Sequence, residues 1–167
     1  MVTWPTNVQY KASYTWDSRI PEEVRKKYCP TQSSVAENVN KFVIKRIQNK
    51  DHPANGQFGL FANKTIPPQT HIVDYVGKIF LDDDCDDDSQ YLMRYADGLI
   101  CDASKIGNEA RMVNDFHGVA ESPNVKYKSY QTPSGEKRIG YFTANKKIKK
   151  GEEILTSYGR GFNLSGE

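Results

Sequence analysis

The spacing of apolar side chains divides the sequence in two. Residues 1–40 are mainly polar with scattered aromatics (Trp4, Tyr10, Tyr14, Trp16). Within them, Pro21-Glu22-Glu23-Val24-Arg25-Lys26-Lys27-Tyr28 predicts one short helix, with proline and two acids in its first turn. From Lys41 onward, apolar and β-branched residues come in short bursts bounded by Gly, Asp or Pro. They predict strands over 41–47, 72–76, 91–95, 99–102, 125–130 and 137–144, with Thr132-Pro133-Ser134-Gly135 as a hairpin turn between the last two. No stretch has the length and period of a long amphipathic helix. The expected fold class is mostly β, short strands in small sheets with few short helices. The expected organisation is an N-terminal flank (1–40), packed on the domain or partly mobile beside it, then one domain (41–160) and a short tail (161–167).

A weak internal repeat runs through this pattern. Ala62-Asn63-Lys64-Thr65-Ile66, with Ile72 and Gly77, recurs 82 residues later as Ala144-Asn145-Lys146-Lys147-Ile148, with Ile154 and Gly159. Both copies read as strand, tight turn, strand, so the two units are expected to pack against each other across the domain.

Composition narrows the function classes. The chain has 167 residues, one domain's length, and is 37% hydrophobic and 11% aromatic. Its ten tyrosines suit a wall that is buried yet carries polar tips, in a core or along a channel. Net charge is +2, but six aspartates lie between Asp82 and Asp88, so the rest of the chain carries about +8. No basic run interleaves with aromatics, so direct nucleic-acid binding is not expected. The Asp82–Asp88 run lacks the spacing, glycine and distal glutamate of a calcium loop. It reads as a solvated loop, or as an attractor of basic peptides. Cys29, Cys85 and Cys101 form no CxxC pair, which predicts neither disulfides nor a zinc site and fits a reducing compartment. No apolar run reaches membrane length, so the expectation is an intracellular protein of nucleus or cytoplasm, without membrane contact. Oligomeric state stays open.

Chemistry enters with six ordered segments. They are Asn55-Gly56-Gln57-Phe58-Gly59-Leu60-Phe61-Ala62, Tyr75-Val76-Gly77, Tyr91-Leu92-Met93-Arg94-Tyr95, Gly107-Asn108-Glu109-Ala110-Arg111-Met112-Val113-Asn114-Asp115, Pro123-Asn124-Val125-Lys126-Tyr127 and Gly151-Glu152-Glu153-Ile154-Leu155-Thr156-Ser157-Tyr158-Gly159. Each alone also reads as an ordinary glycine turn or strand tyrosine. Their order and spacing together resemble the SET family of protein-lysine methyltransferases, over about residues 41–160.

The resemblance implies a SET-domain (β-clip) fold with a C-terminal pseudoknot. It also implies methyl transfer from S-adenosylmethionine to a lysine side chain of a histone or other protein. The donor-binding positions it implies are Gln57, Phe58, Gly59, Tyr75, Arg111, Asn114, Asp115 and Tyr158. Tyr158 and Tyr91 are its catalytic positions, and Tyr91, Tyr127 and Thr156 line its lysine channel. No metal is implied. Two positions depart from the family pattern. Gln57 stands where a glycine is usual, and Asp115 replaces a histidine whose ring often braces the site. His117, two residues on, reads as a lone surface histidine. No cysteine-rich zinc segment is present in the sequence, so Phe162, an N-terminal aromatic, or nothing closes the channel. Small Thr156 opens the channel while Tyr127 narrows it, which favours mono- or dimethylation. The rival readings are a catalytically impaired SET-like module that binds peptide or donor, and a plain β-rich interaction module.

Overall fold

The computed structural model describes residues 4–31, 40–84 and 88–159. Its elements are β1 (Gln9–Tyr10), β2 (Thr15–Trp16), α1 (Glu22–Tyr28), β3 (Phe42–Arg46), β4 (Phe58–Ala62), β5 (His71–Asp74), β6 (Lys78–Leu81), β7 (Leu92–Ala96), β8 (Leu99–Asp102), β9 (Ile106–Gly107), β10 (Asn114–Asp115), β11 (Val125–Gln131), β12 (Lys137–Thr143) and β13 (Leu155–Thr156). Two short 3-10 turns, Asp82–Asp84 and Glu109–Met112, complete them. Among the described residues no helix is long and apolar enough to cross a membrane.

The strands form small sheets, as the short bursts predicted. One has the order β2-β6-β8-β7, another β11-β12-β5, and β3 pairs with β4. Parallel two-residue ladders join β1 to β9 and β10 to β13. Asp97-Gly98, with Gly98 at φ 71, makes the two-residue turn between β7 and β8. A register shift follows Arg94 in β7. Tyr95 there is 1% exposed and packs edge-on against Tyr14, Trp16 and Tyr28. The N-terminal residues thus enter the core: Tyr14 is buried and its hydroxyl accepts the Ile139 N–H at 3.1 Å.

The repeat has a physical counterpart. Ile66 and Ile148, equivalent positions, form an antiparallel bridge in which each N–H donates to the other's carbonyl, at 2.8 and 3.0 Å. Gly151 N–H donates to Ala62 O, and its equivalent Gln69 N–H donates to Ala144 O, the equivalent of Ala62. Gln69 and Gly151 both have left-handed backbone, φ 56 and 90. The two β-turn-β units therefore meet about a local two-fold. The repeat isoleucines Ile66, Ile72, Ile148 and Ile154 are at most 2% exposed, so the matches in the sequence are core positions. Burying each contributes about 1.5–3 kcal/mol.

Candidate active site

Three stretches remote in sequence converge beside this two-fold. The first is the 107–117 segment. Asn108 is 1% exposed and serves as its hub: Oδ1 accepts from Val76 N–H and Ala110 N–H, and Nδ2 donates to Asp74 O. It caps the Glu109–Met112 turn and ties it to β5. The chain then extends into β10, which pairs with β13 of the second stretch. Asn124 grips β13 from another side, donating to Glu153 O at 2.7 Å and accepting Leu155 N–H at 2.8 Å. The 151–158 segment is thereby held by hydrogen bonds both to Asn114–Asp115 and to Asn124.

The third stretch is the loop between β3 and β4. Its His52 is 8% exposed, accepts Ala54 N–H on Nδ1 and so presents Nε2–H to Glu153 at 2.9 Å. Glu153 also accepts Asn114 Nδ2–H at 2.9 Å, and the same amide nitrogen donates to Phe58 O at 3.2 Å. The loop and β10 thus share one carboxylate of the C-terminal segment, and β4 joins them through Phe58 O on Asn114. Gly59 permits this approach, because a Cβ there would lie 2.7 Å from Glu153 Oε1 and 3.2 Å from Asn114 Nδ2.

Two cavities meet at this junction. The larger, about 570 Å³, is lined by Gln57, Phe58, Arg111, Asn114, Asp115 and Tyr158, among others. The smaller, about 240 Å³, is walled by Tyr75, Tyr91, Tyr127, Tyr141, Thr156 and Tyr158. Tyr91, Arg111 and Tyr158 border both. The Arg111 guanidinium lies 4.2 Å from the Tyr91 ring centroid and is anchored through Nε–H to Ala103 O. Tyr158 donates its hydroxyl to Val113 O at 2.6 Å. Tyr158 is 37% exposed as a residue, but its hydroxyl is tied inward to Val113 O, and desolvation there, then the neighbouring Tyr91, Asp115 and Glu153, push its phenol well up, so it stays protonated.

Nine of the eleven expected site residues, Tyr158 among them, border one cavity or both beside the residues they were grouped with. Tyr158, expected in both roles, borders both. Two sit elsewhere. Tyr75 lines the smaller cavity rather than the larger, because its hydroxyl reaches the Tyr91 carbonyl at 2.7 Å. Gly59 lies behind the wall in β4, where it makes room for Glu153 and Asn114. Phe162 lies outside the described residues. Sequence reasoning missed Pro5, Asn7, His52 and Gln90 in the larger cavity and Tyr141 in the smaller. Pro5 and Asn7 arrive through the β1–β9 ladder, a non-local pairing of two residues that leaves no periodic signal. Tyr141 could have been found from strand alternation, two residues beyond buried Ile139.

Asp115 resolves one departure from the family pattern. His117 is not a lone histidine: its ring and its backbone N–H both bond to Asp115 Oδ1. Asp115 Oδ2 accepts Tyr158 N–H at 2.7 Å, so a carboxylate does the bracing. Burial pushes this carboxyl up, but the hydrogen bonds from Tyr158, from the His117 amide and from the His117 ring outweigh it and hold it below the usual range. A depressed carboxyl lends stability that is complete above its ordinary value of about 4 and is lost as pH falls through the depressed one. Amide hydrogen exchange at Tyr158 is therefore expected to stay slow at neutral pH and through pH 4, and to quicken only in stronger acid. Asp115→Ala is expected to be fast already at pH 7. Equal protection in the two proteins at pH 7 would remove Asp115 as the brace.

Comparison with known proteins follows the same residues. The family described as SET domain matches residues 57–159. A histone-lysine N-methyltransferase of Mycosarcoma maydis, H3 lysine-4 specific, is 34% identical over 60% of this chain, which spans 7% of that relative. The histone-lysine N-methyltransferase set-2 of Caenorhabditis elegans is 35% identical over 60% of this chain and likewise is spanned over 7% of its length. Among solved structures, a chain of the Chaetomium thermophilum polycomb repressive complex 2 superposes with a TM-score of 0.59 at 30% identity, covering 80% of this chain and 18% of that one. A crystal structure of KRYPTONITE with DNA, an H3 peptide and SAH superposes at 0.56 and 18% identity, covering 74% of this chain and 25% of that one, a likeness of fold alone.

Proposed function

This chain belongs to the SET domain family, and from that membership we propose that it is a protein-lysine N-methyltransferase, moving a methyl group from S-adenosylmethionine to a lysine of a histone or another intracellular protein, in nucleus or cytoplasm. The observation that carries the reading is the pair of cavities joined at Tyr158, one wide and polar-edged, one narrow and walled by tyrosines.

The residues at the larger cavity fit the donor. Asn114 uses its Nδ2 on Phe58 and Glu153, and among the described residues nothing donates to its Oδ1. Arg111 is anchored through Nε, with no partner among the described residues for its terminal nitrogens. Donors for a carboxylate and an acceptor for an ammonium thus line one cavity, as the amino-acid end of the donor requires. The volume, about 570 Å³, lies in the range of a cofactor cleft. S-adenosylmethionine supplies a methyl group on positive sulfur, which leaves as a neutral thioether.

The chain's own residues do the rest. The tyrosine wall takes the lysine amine out of water and so favours its neutral form, the proton going to solvent. Tyr158, its hydroxyl committed to Val113 O, turns oxygen lone pairs to the amine N–H and orients the nitrogen lone pair toward the methyl carbon. Raised as it is, Tyr158 acts by orientation rather than as a base. Tyr91, fixed by its carbonyl contact with Tyr75 and by Arg111, borders the same junction. The Asp115 brace on Tyr158 supports an active site over an impaired module.

The test is incubation of the full chain with methyl-labelled donor and fractionated cell extract, followed by hydrolysis to amino acids. Labelled methyl-lysine is the expected product. An absence of labelled lysine across all fractions, core histones included, would refute the reading.

A further inference from the structure

His52 lies outside every motif in the sequence, yet it is built into the wall of the larger cavity. It is 8% exposed and borders that cavity together with Asn114. Ala54 N–H donates to its Nδ1 at 3.0 Å, so the ring carries its proton on Nε2. That Nε2–H goes to Glu153 Oε2 at 2.9 Å. Glu153 Oε1 receives Asn114 Nδ2–H at 2.9 Å, and the same nitrogen donates to Phe58 O at 3.2 Å. A line of hydrogen bonds thus runs from the β3–β4 loop, through a carboxylate, to the amide of Asn114.

An asparagine amide can turn either its oxygen or its nitrogen to a ligand, since the two ends have nearly the same shape. Here both neighbours on one side are acceptors, so both call for the nitrogen and send Oδ1 the other way. Phe58 O belongs to the backbone of β4 and is fixed by the strand. Glu153 is a side chain and stays where it is held. Among the described residues His52 is the group that meets its Oε2.

We propose that His52 is a positioning residue of the donor cleft: by holding Glu153 it fixes the Asn114 amide with Oδ1 open to an ammonium, and so favours ligands that carry one. The inference rests on the donor reading of the larger cavity given above. Without the ring, Glu153 Oε2 loses its partner and the carboxylate is no longer held against the amide nitrogen. Asn114 then turns either end to the ligand, and the ammonium loses a defined acceptor. The opposite contact is untouched, because Arg111 is anchored separately on Ala103 O and on the Tyr91 ring.

Two substitutions split the two bonds of the ring. Asparagine keeps an oxygen within reach of Ala54 N–H but is too short for Glu153, whereas glutamine places an N–H near the former Nε2 and gives up Ala54. Calorimetry reads each variant against S-adenosylhomocysteine and against its analogue with hydrogen in place of the α-amino group. His52→Asn is expected to weaken S-adenosylhomocysteine about tenfold, the span of one hydrogen bond to a charged group, and to leave the analogue within about twofold. His52→Gln is expected to stay within about threefold of the unaltered chain for both ligands. Should His52→Asn fail to fold, His52→Ser, whose hydroxyl can also receive the Ala54 N–H, takes its place. The reverse order, with glutamine weak and asparagine unchanged, makes His52 a residue of the loop alone and overturns the assignment. Equal loss of the two ligands in His52→Asn overturns it as well. An unaltered chain that binds S-adenosylhomocysteine no better than the analogue removes the ammonium from Asn114, and His52 with it. An unaltered chain that binds neither ligand overturns the donor reading itself.

Discussion

Tyr158→Phe is expected to lower methyl transfer by about 10²–10³-fold, the cost of losing one positioned polar group at the reacting centre. Affinity for S-adenosylhomocysteine is expected to stay within about twofold, since phenylalanine keeps the ring and the cleft wall. The asymmetry follows from how the residue is tied down. Its backbone N–H is fixed by Asp115 and its hydroxyl by Val113, so the oxygen is aimed by both ends of the residue. Removing the oxygen leaves the Asp115 tie intact, and the side chain remains in place without its lone pairs. Single-turnover transfer and calorimetry on the same preparation read the two effects separately. Equal labelling by both proteins would take Tyr158 out of the mechanism. Loss of binding in step with loss of transfer would make it a structural residue of the cleft.

Much of this site was legible in the sequence because its parts are short runs whose residue types have few alternatives. Asn114 and Tyr158 lie 44 positions apart in sequence, yet the runs containing them had to meet for either to have a role, and β10 and β13 do pair. The repeat was legible for a different reason: equivalent turns need equivalent isoleucines beneath them, and the Ile66–Ile148 bridge joins like to like. The hidden parts depend on pairing at a distance. Strands β4 and β6 were not predicted: β4 overlaps a glycine-containing segment, and β6, Lys-Ile-Phe-Leu, is a legible apolar run that was passed over between Gly77 and the aspartates. Strands β1, β2, β9, β10 and β13 have only two residues each, too few for any period. His52 carried no signal, since only the fold brings it to Glu153. Asp115 and His117 looked like a lost histidine and a stray one, and their bond through Oδ1 shows a brace rebuilt from other chemistry.

The sheet behind the tyrosine wall sets the second large effect. Arg138 in β12 is expected to be worth about 3–5 kcal/mol, measured as the loss of unfolding free energy in Arg138→Met, because it compensates buried carboxylates. Asp74 and Glu136 are 2% and 1% exposed. Arg138 Nη1–H donates to Asp74 at 3.2 Å, while Nη2–H and Nε–H donate to Glu136 at 3.0 and 3.3 Å. The other Asp74 oxygen is met by His71 and by the Tyr130 hydroxyl, at 2.8 and 2.7 Å. Methionine fills the volume but takes the guanidinium away from both carboxylates, Asp74 keeping its His71 and Tyr130 contacts on the other oxygen. The consequence reaches the site, because the Asp74 carbonyl accepts from Asn108 and the next residue is Tyr75, in the wall of the smaller cavity. Arg138→Lys is expected to fall between, since an ammonium lacks the fork that spans two acids. Arg19, which pairs with Asp17 and Asp84 but is 54% exposed, is expected to cost far less on removal than Arg138, as water screens its guanidinium and Lys78 also pairs with Asp17. Urea unfolding of the three variants orders them, and a loss under about 1 kcal/mol for Arg138→Met would mean the carboxylates find other compensation.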